Sequence, residues 1–309
     1  MQVKVLFLGG LGRSGTTLVE RVLGQLPGTV SLGEVVHLWR RDLRDNERCG
    51  CGVPFSDCDF WQRVGAYAFG GWSAVDVDRV LRLRATVERT RHIPKLRRPR
   101  LPQGFYQRVR EYAYHYHRVY VAAARVADAS VVIDSSKHPA LAYCLRWRPE
   151  IDLRVVHVVR DSRGVAYSWT KKVTRPESDG DQMTRYHPLR SALLWNSHNA
   201  AIDALARYGV PVKRVRYEDF IADPIGVTKE LAEFAGVDTG PLGFFRFRNG
   251  TDVVELGTTH SAAGNPMRFA TGRIRLRHDD EWRTELRPGH RWLVTTVTAP
   301  LLSAYGYRR

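Results

Sequence analysis

A glycine-rich segment near the N-terminus has the residue types of a phosphate-binding loop. Its sequence over Gly9–Leu18 is GGLGRSGTTL, directly after the apolar run Val3–Leu8 and before a helical pattern. Between a strand and a helix, backbone N–H groups and the helix dipole converge on an anion, and glycine lets the backbone approach it closely. A plain glycine-rich turn is the alternative, but the cation Arg13 and the hydroxyls of Thr16 and Thr17 favour an anion site.

The segment departs from the phosphate loop of kinases and ATPases. That loop ends in Gly-Lys-Ser/Thr, and its lysine and hydroxyl contact the terminal phosphates and magnesium. Here Thr16 follows Gly15 at the lysine position, and the cation is the earlier Arg13. A nucleotide-dependent kinase therefore stays an alternative function, and it would also need a magnesium site for which the sequence offers no compelling acidic pair.

A second basic motif follows the apolar run Leu153–Val159. Arg160 comes directly after this predicted strand, at the edge of an open α/β sheet where ligands bind. Ser168 follows about two helical turns later, roughly 12 Å along the axis. Arginine and a hydroxyl can both donate to one phosphate, so the pair predicts a second anion contact. The alternative is that Asp161 caps a helix among solvated arginines.

These segments together resemble the sulfotransferases that use 3′-phosphoadenosine-5′-phosphosulfate (PAPS). The stretch GRSGTTL is similar to the 5′-phosphosulfate loop of the bacterial and tyrosylprotein branches, and similar segments follow in the family's order from Val3 to about Arg283. The resemblance implies a P-loop-like sulfotransferase fold. It also implies an enzyme that moves a sulfuryl group from PAPS to an acceptor hydroxyl by in-line displacement, with no metal required.

The resemblance assigns roles to particular residues. Glu34, twenty-one positions after Arg13, matches the general base of the tyrosylprotein enzymes, with a surface glutamate as the alternative and His37 as the reserve base. Lys137, in the turn Asp-Ser-Ser-Lys, would neutralise charge together with Arg13, unless Ser135 or Ser136 caps a helix there. The implied nucleotide-binding set is Gly12, Arg13, Ser14, Gly15, Thr16, Thr17, Arg160, Ser168, Lys172, Tyr217, Asn265 and Arg268.

Four β-branched runs with little alternation predict strands that are buried on both faces. They are Val3–Leu8, Ser130–Asp134, Leu153–Val159 and Val212–Tyr217. Helical patterns separate them at Thr16–Leu26, Phe105–Ala127 and Ser191–Tyr208. This alternation predicts a single α/β domain with a parallel sheet flanked by helices. Two segments interrupt it: an irregular excursion at about 45–72 and a basic loop at about 91–104, either a lid or a solvated linker.

Composition limits the partners without choosing among them. The 309 residues include 48 Lys and Arg against 32 Asp and Glu, a formal net charge of +16 that attracts anions of any kind. A nucleic-acid-binding protein is therefore a further alternative, but the basic residues are dispersed and no recognised nucleic-acid motif occurs. No apolar run is long enough to span a membrane, which predicts a cytoplasmic protein. Tyrosine peptides, carbohydrates, lipids and secondary metabolites all stay open as hydroxyl-bearing acceptors.

Three of the four cysteines are close in sequence, at Cys49, Cys51 and Cys58. The pattern lacks the paired spacing of common zinc sites. Buried packing thiols are the first interpretation, a disulfide the second and a zinc site the third.

Overall fold

The computed structural model of the protein describes residues 1–173, 184–248 and 251–308. A parallel sheet of five strands lies at its centre, in the order β2-β3-β1-β4-β5. Its strands are β1 (Val3–Gly9), β2 (Thr29–Ser31), β3 (Val131–Lys137), β4 (Ile151–Val159) and β5 (Val212–Arg216). The predicted parallel sheet is confirmed, and the short edge strand β2 is an element that the sequence patterns did not reveal.

Helices cover both faces of the sheet. The α-helices are α1 (Thr16–Leu23), α2 (Asp59–Phe69), α3 (Val77–Val87), α4 (Ile93–Leu96), α5 (Gln103–Val126), α6 (Pro139–Leu145), α7 (Ser162–Thr170), α8 (Pro188–Ala204), α9 (Tyr217–Ala222), α10 (Pro224–Ala235), α11 (Trp282–Glu285) and α12 (Pro288–Ala304). A second, antiparallel sheet also went unpredicted, and it has the order β6-β7-β8. Its strands are β6 (Phe245–Arg248), β7 (Thr251–Leu256) and β8 (Gly272–Arg275).

Alternation along β1 explains the two layers of core. Val5 and Phe7 pack into the cluster that α2, α3, α5 and α6 form on one face of the sheet. Leu6 and Leu8 point the other way, into the cluster of α1, α10 and the antiparallel sheet. All four side chains are at most 1% exposed. Because successive side chains of a strand point to opposite faces, the stretch 5–8, which is covered on both sides, is apolar at every position.

Two segments are more regular than predicted. The supposedly irregular stretch 45–72 contains the eleven-residue helix α2. Its buried residues Phe60, Trp61, Val64 and Ala68 recur at helical spacing, a signal that the surrounding cysteines and glycines obscured. The basic stretch 91–104 includes α4, whose Ile93 and Leu96 are buried, so it is anchored to the core rather than a simple linker.

The extent of β3 decides between the alternatives for Ser135 and Ser136. Ser135 and Ser136 lie within β3, which runs on to Lys137, so neither caps a helix. The last predicted strand is one residue too long, because Tyr217 already begins α9. Among the helices that the structure describes, none has a stretch that is both long and apolar enough to cross a membrane.

Candidate active site

The glycine-rich loop lies between the end of β1 and the start of α1, packed against two aromatic rings. A Cβ atom at Gly12 would come 2.8 Å from the ring of Trp169, and one at Gly15 would come 2.2 Å from the ring of Tyr217. Gly15 also has φ +84°, in the left-handed region that glycine adopts without strain. Both glycines are therefore required for the loop to reach its position between the rings.

Arg13 adopts a strained backbone within this loop. Its φ of +75° is unusual for a residue with a side chain, and such strain concentrates at functional sites. The guanidinium lies over the Trp169 ring, 5.3 Å from its centroid. Burial lowers the pKa of Arg13 from its ordinary value, and the charge of Glu34 offsets part of that effect. The loop therefore holds its cation close to the carboxylate of Glu34.

Glu34 and Lys137 form a direct ion pair, although 103 positions separate them. Glu34 follows the end of β2 and Lys137 is the last residue of the neighbouring strand β3, so the parallel sheet places both at one edge. Lys137 shares the left-handed backbone of Arg13, with φ +67°. The side chain of Lys137 is 10% exposed and that of Glu34 is 14% exposed, which leaves both accessible from a cleft.

His37 lies on the other side of Glu34. Its Nε2 atom is 3.6 Å from Oε2 of Glu34. Burial, with the nearby charges of His138, Arg84 and Arg41, lowers the pKa of His37 well below its ordinary value. The imidazole is therefore neutral at neutral pH, and it contacts the carboxylate without competing with Lys137 as a cation.

Arg160 lies where β4 ends, and its guanidinium makes three kinds of contact. Nη1 donates to the carbonyl oxygen of Arg13 at 3.1 Å, and Nη2 donates to Oδ2 of Asp279 at 2.8 Å. The group also lies over the ring of Tyr217, 5.1 Å from the centroid. These contacts join the glycine-rich loop to the C-terminal segment and fix the direction in which Arg160 points.

A single cleft of about 1180 Å³ collects most of the predicted residues. Those that line it are Gly12, Arg13, Gly15, Thr16, Thr17, Glu34, Lys137, Arg160, Ser168, Tyr217 and Asn265. The described part of its wall carries nine arginines and one lysine against two glutamates, a charge balance that attracts anions. The arrangement brings together a glycine-rich loop, a carboxylate and an ammonium group, which are chemically suited to group transfer from an anionic donor.

Three predicted residues lie outside this lining. Ser14 belongs to the glycine-rich loop but is fully buried. Lys172 is exposed just after α7. Arg268, in the loop after β7, is 2% exposed and donates to the carbonyl oxygen of Arg48 at 2.9 Å, so it attaches that loop to the segment before α2. Asn265 lines the cleft, but its side chain also accepts from the N–H of Met267 at 3.0 Å and caps a short helical turn.

Comparison with known proteins identifies the family. A sequence model of the sulfotransferase family matches residues 6–241, well over half of the chain. The chain belongs to the sulfotransferase family. No curated protein sequence matches it.

Two solved structures are similar to this sulfotransferase over its whole length. The sulfotransferase domain of the Synechococcus PCC 7002 olefin synthase is 19% identical with a TM-score of 0.52, and the match covers 100% of this chain and 96% of that one. The sulfotransferase domain from the curacin biosynthetic pathway is 15% identical with a TM-score of 0.53, and the match covers 100% and 99% of the two chains. At these identities the likeness shows the fold and confirms the predicted fold class, while the sequence model confirms the predicted family.

The sulfotransferase cleft also depends on Trp169, a residue without a predicted role. Its Nε1 donates to the carbonyl oxygen of Gly12 at 3.0 Å, and its ring stacks on Tyr186 at a centroid distance of 4.3 Å. Trp169 directly follows Ser168, so the motif contained it. Only the folded chain shows that a residue in α7 supports the loop after β1.

Two adjacent charged residues of α1 are buried in the sulfotransferase core, and sequence reasoning missed both. Glu20 accepts from the N–H of Gly33 at 2.7 Å and from the hydroxyl of Ser135 at 2.6 Å, which ties together the ends of β2 and β3. Burial raises its pKa, although those hydrogen bonds and Lys137 oppose the shift. No local pattern distinguishes this pair from the solvated charges that helices usually carry.

Arg21 attaches the loop after β7 to α1. It donates to four backbone carbonyls at 2.7–3.0 Å, those of Gly257, Met267, Arg268 and Ala270. We expect Arg21→Met to lower the free energy of unfolding by about 3–5 kcal/mol, because it removes four hydrogen bonds from a fully buried guanidinium and a hydrogen bond to a charged group contributes on the order of 1.5–3 kcal/mol. Urea denaturation measures this loss.

The matched control for that prediction is Arg108→Met, which removes an exposed arginine of α5. We expect it to change the free energy of unfolding by less than about 0.5 kcal/mol. Equal losses for the two variants would mean that the four carbonyl contacts of Arg21 do not stabilise the fold.

Proposed function

We propose that this sulfotransferase transfers the sulfuryl group of PAPS to an acceptor hydroxyl, with Glu34 as the general base. The observation that carries the proposal is the Glu34–Lys137 pair, which lines the same cleft as the glycine-rich loop. A carboxylate beside a phosphate loop can receive the proton that an attacking hydroxyl releases. A cation at the same place can stabilise the negative charge that develops as the sulfuryl group leaves.

The residues of the cleft fit the anionic ends of such a donor. The loop offers backbone N–H groups at the N-terminus of α1 together with the hydroxyls of Thr16 and Thr17, a combination suited to a 5′-phosphosulfate. Arg160 and Ser168 line the cleft beyond the loop and would hold the 3′-phosphate. Tyr217, which packs on Gly15 and under Arg160, offers an aromatic surface to the nucleotide.

The reaction we infer is an in-line displacement at sulfur. The acceptor oxygen forms a bond to sulfur while the bond between sulfur and the bridging oxygen of the donor breaks, leaving 3′-phosphoadenosine-5′-phosphate (PAP). Glu34 accepts the hydroxyl proton, and Arg13 and Lys137 stabilise charge on the bridging and sulfuryl oxygens. Preorganisation by the strained loop and the sheet edge keeps these groups in place before the reactants arrive.

The basic wall of the cleft favours an acceptor that carries negative charge as well as a hydroxyl. Arg40, Arg44 and Arg89 line the cleft apart from the loop and come from segments that follow Glu34 in the chain. Tyrosine peptides, carbohydrates, lipids and secondary metabolites all offer hydroxyl groups. Within each class we expect the anionic members to be sulfated best, because arginines pair favourably with carboxylate and phosphate groups.

Calorimetric titration with PAP in the absence of magnesium tests the donor. We expect Arg160→Ala to weaken PAP binding roughly 10- to 100-fold, since a hydrogen bond to a charged group contributes about 1.5–3 kcal/mol. Ser168→Ala should weaken it less. Arg207→Ala is the matched control, because it removes an exposed arginine outside the cleft and should leave PAP affinity nearly unchanged.

ATP with magnesium is the comparison ligand in the same titration. If ATP with magnesium bound tightly and PAP did not, the donor assignment would fail and the kinase alternative would take its place. If Arg207→Ala weakened PAP binding as much as Arg160→Ala, the effect would reflect net charge rather than a specific phosphate contact.

A further inference from the structure

Four potential metal ligands converge at one point outside the cleft. Cys49 and Cys51 precede α2, and Cys58 is the residue directly before its first turn. His260 comes from the loop after β7, about two hundred positions later. Their three sulfur atoms and one imidazole nitrogen all lie within 4.8 Å of one another. We call these four side chains the Cys₃His cluster.

The separations within the Cys₃His cluster suit a shared tetrahedral ion. Sγ of Cys58 lies 3.6 Å from that of Cys49 and 3.8 Å from that of Cys51. Zinc–sulfur bonds of about 2.3 Å at tetrahedral angles place two sulfurs roughly 3.8 Å apart. A disulfide would instead need about 2.05 Å between its sulfur atoms.

The histidine approaches these sulfurs with one nitrogen. Nδ1 of His260 lies 3.2 Å from Sγ of Cys58 and 3.9 Å from Sγ of Cys49. A sulfur and a nitrogen bound to one tetrahedral zinc ion lie roughly 3.5 Å apart, between these two values. Simple thiol packing would not require a nitrogen from a distant loop to point into the group of sulfurs.

The surroundings of the cluster hold its members in place. Phe60 stacks on the His260 ring at a centroid distance of 5.0 Å. Trp61 donates through Nε1 to the carbonyl oxygen of His260 at 2.8 Å, so both α2 aromatics orient the histidine.

Two glycines let the cysteine segment form this arrangement. Gly50 donates to the carbonyl oxygen of Ser261 at 2.9 Å, and a Cβ atom there would come 2.8 Å from the carbonyl oxygen of Thr259. Gly52 has φ +95°, which closes a turn from its N–H to the carbonyl oxygen of Cys49 at 2.8 Å. The Cys-Gly-Cys-Gly sequence is thus shaped to approach the His260 loop.

We propose that the Cys₃His cluster binds one structural zinc ion. Three thiolates and one imidazole make a closed tetrahedral set without an open position for substrate, which is the usual composition of a structural rather than a catalytic zinc site. The proposal places the zinc site first, whereas the sequence pattern ranked it third, after packing thiols and a disulfide. It also adds a metal to a protein whose sulfuryl transfer, as proposed above, uses arginine and lysine instead.

Such an ion would attach the cysteine segment to the loop that contacts the backbone of Glu34. Directly after His260, the N–H of Ala262 donates to the carbonyl oxygen of Leu32 at 2.7 Å, and the N–H of Glu34 donates to that of Ala263 at 3.3 Å. A metal bond at His260 would therefore join the cysteine segment to the same loop that hydrogen-bonds the backbone of Glu34. The zinc would act on Glu34 by positioning it.

Metal analysis of the purified full chain, prepared under reducing conditions without chelator, tests the proposal. We expect about one zinc ion per chain, and less than about one-tenth of that in Cys58→Ser, because each thiolate is a direct ligand. His260→Ala should lower zinc occupancy, while His260→Cys should retain it with four sulfur ligands. Cys144→Ala is the matched control, since Cys144 is buried elsewhere and should keep full occupancy.

Cobalt substitution of the wild-type protein provides a readout that does not depend on activity. The metal-depleted protein refilled with Co²⁺ should show the sulfur-to-cobalt charge-transfer and visible bands of a tetrahedral thiolate site, and His260→Cys should shift them. Three outcomes would overturn the proposal. They are a wild-type protein that takes up neither ion, a disulfide between two cluster cysteines, or zinc content that Cys144→Ala removes as fully as Cys58→Ser.

Discussion

Replacing Glu34 with glutamine is expected to lower kcat for sulfuryl transfer by about 100- to 10,000-fold, the range that general-base catalysis contributes. The glutamine amide has nearly the size of the carboxylate but cannot take up the proton of the attacking hydroxyl group. The substitution also releases Lys137 from its ion pair, so PAP should bind at least as tightly as before. A selective loss of kcat would separate the role of a base from that of a binding residue.

The assay uses labelled PAPS and the hydroxyl compound that the wild-type protein sulfates best, with calorimetry for PAP. Glu34→Asp should recover part of the activity, because it keeps a carboxylate one methylene shorter. His37→Gln is the discriminating variant, since His37 lies 3.6 Å from Glu34 and is the reserve base. Full activity in Glu34→Gln together with a large loss in His37→Gln would transfer the role of base to the histidine.

The second large effect is expected at Lys137. Lys137→Met should lower kcat by about 100- to 1,000-fold, the effect of removing one donor that stabilises transition-state charge. The affinity for PAP should change much less than kcat, because the inferred contact is with the transferring group rather than with the nucleotide. Parallel measurement of kcat and of the PAP dissociation constant distinguishes the two effects.

Lys171→Met is the matched control for that experiment. Lys171 pairs with Glu281 at 2.6 Å and does not line the cleft. We expect its loss to leave kcat nearly unchanged, because exposed ion pairs contribute about 1 kcal/mol or less. If Lys137→Met instead weakened PAP binding and left kcat intact, Lys137 would be a donor-binding residue and not a stabiliser of the transition state.

Backbone strain links the prediction for Lys137 to the glycine-rich loop. Among the described residues without glycine's freedom, Arg13 and Lys137 both take left-handed backbone angles, and both line the cleft. Such conformations cost on the order of 1–3 kcal/mol and persist only where the surrounding structure holds them. The hydrogen bond from Arg160 to the carbonyl oxygen of Arg13 is one of the contacts that hold the loop.

The sequence by itself was enough to determine the family and the location of most of the cleft. Apolar runs bounded by glycine or by polar turns predicted four of the five central strands, because strands covered on both faces are largely apolar. The expected burial on both faces was wrong for β5, an edge strand whose Lys213 is only partly buried and whose Arg214 is exposed. The loop motif and the polar residues after each run predicted one ligand edge, because parallel strands end on the same side of the sheet. These features are local in sequence, which is why they could be recognised there.

Contacts between distant segments were decided only by the tertiary structure. The burial of Glu20 and Arg21, the support that Trp169 gives to Gly12, and the hydrogen bond from Arg268 to the carbonyl oxygen of Arg48 leave no local pattern. The Cys₃His cluster shows the same limit, because His260 is about two hundred residues from the cysteines and no spacing rule connects them. A ligand set completed across the fold depends on how α2 and the loop after β7 pack, and that packing is a property of the whole chain.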